Sequence, residues 1–152
     1  MSKKLVAYFS CGGRTAKRAR ELAKVTGADL FVIEPAQPYT EADLDWANDD
    51  SRCTKEMTEE GSESIRPEMK EKKDISDYDI VYIGFPVWWG KAPRIINTFI
   101  ESADFAGKTV MFFATGGGTD IDAPVKYLKE TYPSLNIAGG KLLSDPVKAD
   151  IL

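Results

Sequence analysis

The sequence predicts an α/β fold with a parallel sheet, and two observations support this prediction. Short apolar runs, which are typical of buried strands, recur along the chain, and segments with apolar residues at helical spacing lie between them. Strands that alternate with helices form parallel sheets covered by helices. A chain of 152 residues has the usual length of one domain, so we expect a single domain over residues 1–152.

The first half of the chain contains two predicted strands and one predicted helix. Residues 4–9 and 29–33 are apolar runs, and residues 16–26 between them carry apolar side chains at helical spacing. A polar stretch follows, in which Thr40 and Asp43 resemble a capping box and predict the start of a helix. Further helix is possible beyond Asp50, but the sequence pattern does not define where it begins or ends.

The second half contains three further strands and two helices. The run 79–85 is apolar throughout, which indicates a strand buried on both faces. The remaining elements are a helix that begins near Pro93, a strand over 109–114, a helix that ends before Pro133, and a weaker strand within 136–143.

Three of the predicted strands end in loops suited to ligand binding, over residues 10–15, 86–90 and 115–120. The carboxyl ends of parallel strands meet at one edge of the sheet, where ligands bind. In the first loop, the amides of a helix start, small residues and the hydroxyls of Ser10 and Thr15 indicate a phosphate site. The alternative is an ordinary strand-to-helix turn with a capping serine.

The other two loops suit a flat ring. Trp88 and Trp89 are adjacent, so on an extended segment they point to opposite sides, one toward a ligand ring and one inward. Gly90 is either a peptide that reorients when a bound ring gains a proton or a glycine at a helix start. Three glycines in the third loop let the backbone approach a ligand plane closely. A ligand with a phosphate at one end and an aromatic ring system at the other fits all three loops, and flavin mononucleotide (FMN) is such a ligand.

These loops resemble the motifs of the flavodoxin family, and the resemblance covers most of the chain. Residues 8–15 are similar to the family's phosphate loop, residues 84–90 to the flavin-ring loop of short bacterial flavodoxin-like proteins, and residues 113–118 to the second ring loop. The resemblance implies a flavodoxin-like three-layer sandwich with a five-stranded parallel sheet of order 2-1-3-4-5. It also implies noncovalent FMN and a role in electron transfer, with the chemistry carried by the flavin.

The resemblance further implies which residues bind FMN, and it implies neither a metal ligand nor a catalytic side chain. The binding residues are Ser10, Cys11, Gly12, Gly13, Arg14, Thr15, Pro86, Val87, Trp88, Trp89, Gly90, Thr115, Gly116, Gly117 and Gly118. Two departures from the family stand out. Gly12 occupies a position where the family usually has Thr, and residues 144–152 are shorter than the usual last helix, which leaves a sheet face that a partner subunit could cover.

Cys11 indicates a competing chemistry. A cysteine at a helix start has a lowered pKa and can act as a nucleophile, and low-molecular-weight tyrosine phosphatases use Cys-x5-Arg on a similar turn. Arg18 comes one position too late for that register, which disfavours a phosphatase. The chain has no histidine, which excludes Ser-His-Asp and Cys-His mechanisms within it. We expect Cys53 to have no role in the site. Tyr39, in the loop after the second strand, is either a second partner for a ligand ring or a surface loop aromatic, and we expect the latter.

The net charge and the hydropathy of the chain restrict the partners and the cellular location that we expect. A net charge of −4 argues weakly against nucleic acid as a partner, and the absence of a long apolar run or signal peptide predicts a cytoplasmic protein without membrane insertion. We expect an electron carrier that serves redox partner proteins rather than a self-sufficient enzyme. The alternatives are an FMN-dependent NAD(P)H/quinone oxidoreductase that acts as a homodimer, and a cofactor-free interaction module.

Overall fold

Five parallel strands form a sheet in the order β2-β1-β3-β4-β5 in the computed structural model, which describes residues 3–11, 13–115 and 121–143. The strands are β1 Lys4–Tyr8, β2 Asp29–Val32, β3 Ile80–Pro86, β4 Thr109–Thr115 and β5 Ile137–Leu142. The helices are α1 Arg14–Thr26, α2 Arg52–Thr58, α3 Arg94–Glu101 and α4 Asp122–Thr131, with a 3₁₀ turn at Ser62–Ser64. The predicted fold class and strand order are confirmed.

The central strands are buried on both faces, as their continuous apolar runs predict. Successive residues face opposite sides of the sheet, so Leu5, Val81 and Val110 belong to one buried cluster and Val6 and Tyr82 to another. The first cluster includes apolar side chains of α3 and α4, and the second includes those of α1. The sheet therefore lies between two helical layers, and its carboxyl edge carries the loops after β1, β3 and β4.

The polar stretch after β2 forms turns and then a helix, so the prediction of a helix that starts at Thr40 is wrong. The reciprocal bonds of a capping box are present, since the Thr40 amide donates to Asp43 Oδ2 at 3.0 Å and the Asp43 amide to Thr40 Oγ1 at 3.1 Å. The side chains of Asp45 and Asn48 then accept from amides two residues on, at 3.1 and 2.9 Å. Such local bonds compete with helical ones. The helix α2 begins only after Ser51, whose hydroxyl caps it.

Some predictions concern residues outside the described part of the chain. They are those for Gly12, for Gly116, Gly117 and Gly118, and for residues 144–152. Within residues 3–11, 13–115 and 121–143, no helix is long and apolar enough to cross a membrane. The same residues contain no group of three side chains placed to hold a metal ion.

Candidate functional site

A cavity of about 590 Å³ lies at the carboxyl edge of the sheet, between the turn after β1, the loop after β3 and the end of β4. Its lining residues are Cys11, Arg14, Thr15, Leu44, Trp46, Cys53, Pro86, Val87, Trp88, Trp89 and Thr115. Most of the predicted site residues that the structure describes are thus brought together around one space. Ser10, Gly13 and Gly90 stand next to lining residues in the chain but do not line the cavity themselves.

The turn between β1 and α1 leaves the start of the helix open toward this cavity. Among the described residues no side chain caps α1, its first turn has no acidic residue, and Gly13 before it takes a left-handed φ of 84°. Ser10 Oγ accepts a hydrogen bond from the Gly13 amide at 3.2 Å, which lies outside the helix. Ser10 therefore shapes the turn and does not cap the helix, and the capping-serine alternative is wrong on this point.

Thr15 ties this turn to the end of β4. Its Oγ1 lies 2.7 Å from Thr115 Oγ1, and both residues are buried. A buried hydroxyl needs such a partner, because an unsatisfied one is costly. The first and third predicted loops are therefore linked directly by a hydrogen bond at the wall of the cavity.

The thiol of Cys11 is a weaker acid than an ordinary cysteine. Burial of the sulfur is the main cause, and the neighbouring Cys53 and Glu56 add to it, while Arg52 acts in the opposite direction, so that the pKa of Cys11 rises to about 12. The thiolate is the nucleophilic form of cysteine. The prediction of a lowered pKa is therefore wrong, and this finding also weighs against the phosphatase alternative.

The loop after β3 closes in a tight turn at the two tryptophans. The amides and carbonyls of Trp88 and Lys91 bond each other reciprocally, both at 2.9 Å. Between them, Trp89 and Gly90 have φ values of 50° and 73°, and positive φ at both central positions is the signature of a type I′ turn. The helix-start interpretation of Gly90 is wrong, because α3 begins only at Arg94.

This turn sends the two indoles to different environments. Trp88 packs edge-on against Phe9 at 5.7 Å and Tyr39 at 5.5 Å between ring centroids, whereas Trp89 is 42% exposed at the cavity. Both tryptophans thus line the cavity, but Trp88 is packed against other aromatic rings whereas Trp89 remains largely exposed. The sequence reasoning expected one inward and one outward indole on an extended segment, and the difference instead arises at a left-handed residue. Left-handed backbone at a tryptophan costs on the order of 1–2 kcal/mol.

Tyr39 is a packed residue, so its interpretation as a surface loop aromatic is wrong. Its ring lies 5.6 Å from that of Phe9, and the Arg52 guanidinium stacks on it at 3.8 Å. Its hydroxyl donates to Glu56 Oε1 at 2.5 Å. Burial and this bond to Glu56 raise the pKa of Tyr39 well above its ordinary value. Tyr39 thus joins the 40–58 segment to the rings of Phe9 and Trp88.

Sequence reasoning missed three lining residues, all of which lie in the polar stretch after β2. Leu44, Trp46 and Cys53 line the cavity, and Cys53 is buried, so the expectation that it has no place in the site is wrong. The Cys53 amide donates to the carbonyl of Asp43 at 2.9 Å, which holds α2 against the preceding turns. A lone tryptophan in a polar stretch was the signal available, but nothing local placed it at the cavity.

Comparisons with known proteins agree with this architecture. A flavodoxin family model matches residues 3–152. The chain is 53% identical to a candidate flavoprotein of known crystal structure from Bacteroides eggerthii, over 94% of this chain and 89% of that one, with a TM-score of 0.91. It is 25% identical to a flavoprotein from Lactobacillus acidophilus solved in complex with FMN, over 93% of each chain, with a TM-score of 0.75. No curated protein matches the sequence. The chain therefore belongs to the flavodoxin family.

Proposed function

We propose that this protein binds FMN in the cavity at the carboxyl edge of the sheet and carries electrons between redox partner proteins. The observation that carries the proposal is that two kinds of surface line the same cavity. They are the open start of α1 with Arg14 and Thr15, and the exposed indole of Trp89. The flavoprotein from Lactobacillus acidophilus that binds FMN shares the fold and supports this choice of ligand.

The open start of α1 suits the phosphate. A helix start carries partial positive charge and free amides, which favour an anion. The exposed guanidinium of Arg14 adds a full positive charge there, and the hydroxyls of Ser10 and Thr15 add donors. In our proposal the whole turn from Ser10 to Thr15 surrounds the phosphate, with Cys11 kept as a neutral thiol by its raised pKa.

The aromatic end suits the flavin ring. FMN, when bound, supplies the electron-carrying chemistry. In our proposal Trp89 contacts the flavin ring, and Trp88 holds the turn in place through its packing against Phe9. Pro86 and Val87 exclude water from the edge of the flavin ring. Gly90, Thr115 and the three glycines from Gly116 to Gly118 complete the proposed set of binding residues. Burial of the ring disfavours added negative charge, which would lower the potential of its full reduction.

The decisive experiment is a titration of FMN into the purified protein, followed by flavin fluorescence and visible absorbance. We expect quenched fluorescence and a shifted flavin spectrum in the wild type. Arg14→Ala should weaken FMN binding about tenfold through loss of a charged contact, and should leave binding of riboflavin, which lacks the phosphate, unchanged. Arg20→Ala is the matched control, because Arg20 is an exposed arginine of α1 outside the cavity.

Two outcomes would overturn the proposal. A protein that leaves added FMN fully fluorescent is the cofactor-free interaction module of the sequence analysis. A protein that binds FMN and by itself consumes NAD(P)H with a quinone is the oxidoreductase alternative, and its homodimer should then be sought by sedimentation. FMN binding without such turnover, together with reduction by a redox partner protein, supports the carrier.

A further inference from the structure

All three tryptophans of the chain line the same cavity, and one of them lies outside the family motifs. Trp88 and Trp89 belong to the loop after β3, whereas Trp46 belongs to the polar stretch after β2. Trp46 is 75% exposed. Among the described residues, the exposed large hydrophobic side chains are Leu30, Val32, Trp46 and Trp89, and Trp46 is the most exposed of them. Both tryptophans of this group line the cavity.

The backbone around Trp46 is held in place although its indole is uncovered. Asp45 Oδ1 accepts from the Ala47 amide at 3.1 Å, and the Asp45 carbonyl accepts from the Asn48 amide at 3.1 Å. The bond from the Cys53 amide to the Asp43 carbonyl, at 2.9 Å, anchors these turns to α2. The indole is thus presented at the cavity by an ordered series of turns.

The helix α2 is in turn joined to the wall that supports Trp88. Arg52 Nε donates to Glu56 Oε2 at 2.9 Å, and its guanidinium stacks on Tyr39, whose ring packs against Trp88. The fully buried Arg94 donates to the Glu56 carbonyl at 3.0 Å. The position of the 40–58 segment is therefore coupled to the same aromatic residues that hold the loop after β3.

We propose that Trp46 is a further FMN-binding residue, whose indole contacts the flavin ring and forms the outer wall of the site. This inference rests on the proposed function. An exposed indole at a cavity leaves a large apolar face in water, and a flat aromatic ligand can cover that face. A flavin ring fits this requirement, because Trp89 presents a second uncovered indole at the same space.

The first test compares FMN affinity in matched variants. Trp46→Ala should weaken FMN binding about tenfold, which is typical for the loss of one aromatic stacking contact, and Trp46→Phe should restore most of it. Leu30→Ala is the control, because Leu30 is an exposed apolar residue that does not line the cavity, and it should bind FMN as the wild type does. Circular dichroism of each variant checks that the fold is kept.

The second test uses the wild-type protein and needs no substitution. Trp46 and the pair Trp88 and Trp89 fall in different tryptic peptides, so oxidation by N-bromosuccinimide can be followed at each by mass spectrometry. FMN should slow the oxidation of Trp46, and inorganic phosphate, which has no ring, should not. If FMN binds but leaves Trp46 unprotected, or if Trp46→Ala binds FMN normally, the inference is wrong while the proposed function stands. If the wild type does not bind FMN, both are overturned.

Discussion

The turn of residues 10–15 and the segment of residues 40–58 line the same cavity, but different interactions hold them. The turn is placed by the buried strand before it and the helix after it, and the hydroxyl bond from Thr15 to Thr115 adds one direct tie to β4. The 40–58 segment is attached through polar contacts at Glu56, whose carbonyl accepts from Arg94 and whose carboxylate accepts from Tyr39. A ligand loop between two regular elements is thus positioned locally, whereas the wall formed by the polar stretch after β2 depends on contacts with residues outside it.

The largest expected effect comes from breaking the attachment of the segment at Arg94. This fully buried residue donates to the Glu56 carbonyl at 3.0 Å, to Tyr127 Oη at 3.3 Å and to Ser62 Oγ at 3.4 Å. Arg94→Ala leaves these acceptors unsatisfied and opens a void, so we expect the free energy of unfolding to fall by about 3 kcal/mol. Urea denaturation measures this loss.

Hydrogen exchange then separates the two regions in the same variant. Amides of residues 40–58 should exchange faster in Arg94→Ala, whereas amides of β1 and of the turn after it should keep their protection. The exposed Arg20→Ala serves as control and should change stability by less than about 0.5 kcal/mol. If the amides of the turn and of the 40–58 segment lose protection equally, the two regions are not held by different interactions.

The second prediction concerns Cys11, at which the two regions meet. Its pKa is raised from 9.0 to about 12, mainly by burial and then by Cys53. Because the thiolate is the reactive form, alkylation by iodoacetamide at pH 8 should be about a hundredfold slower than in a cysteine peptide. The protonated thiol favours the folded state, so this contribution to stability is complete below pH 9 and is lost as the pH rises toward 12.

Mass spectrometry can measure the alkylation of Cys11 separately from that of Cys53, because the two cysteines lie in different tryptic peptides. Cys11 is already exposed, but loosening of the 40–58 segment should move Cys53 and Glu56 away from it, lower its pKa and speed its alkylation, so Arg94→Ala offers an internal comparison. A rate at Cys11 equal to that of the free peptide would contradict the raised pKa, and a faster rate would restore the interpretation as an activated nucleophile.

The third prediction tests the tie between the turn and β4. Thr15→Val removes one partner of the 2.7 Å hydroxyl pair and leaves the Thr115 hydroxyl buried without it. We expect a loss of about 2 kcal/mol in the free energy of unfolding. The double variant Thr15→Val, Thr115→Val should lose less than the sum of the single changes, because no unpaired hydroxyl remains. Strict additivity in this cycle would show that the pair is not coupled.

The smallest effect is expected at the Tyr39 hydroxyl. Tyr39→Phe removes its bond to Glu56 but keeps the ring that packs on Phe9 and Trp88. We expect a loss of about 1 kcal/mol, read from the midpoint of thermal unfolding. Tyr39→Ala should cost more, because the ring contacts are lost too. If both variants lose the same amount, the ring makes no contribution to holding the segment.

The parallel sheet and the position of the strand ends could be predicted from the sequence for one physical reason, whereas the strand order came from the resemblance of the motifs to the flavodoxin family. Apolar runs such as 79–85 cannot be left in water, and the alternation with helices makes them parallel, which brings their carboxyl ends to one edge. The lining positions Cys11, Val87 and Thr115 follow from that rule, since each lies shortly after or at the end of a strand.

Other features could not be read from neighbouring residues. The division between Trp88 and Trp89 comes from a left-handed turn that the backbone adopts between Trp88 and Lys91. The raised pKa of Cys11 comes first from burial in the folded protein and then from Cys53, which lies more than forty positions away in the chain. Propensity and periodicity describe a residue's neighbours along the chain, and neither describes what packs against it from elsewhere.

By itself, therefore, the sequence determined the α/β class and the edge at which the strand ends meet, because burial of apolar runs is a local property summed along the chain, and its motifs indicated the strand order through their resemblance to the flavodoxin family. Tertiary structure alone decided how far each indole is exposed, that the pKa of Cys11 is raised, and that the polar stretch supplies Trp46 and Cys53 to the cavity wall. These depend on distant groups that meet only after the chain has folded.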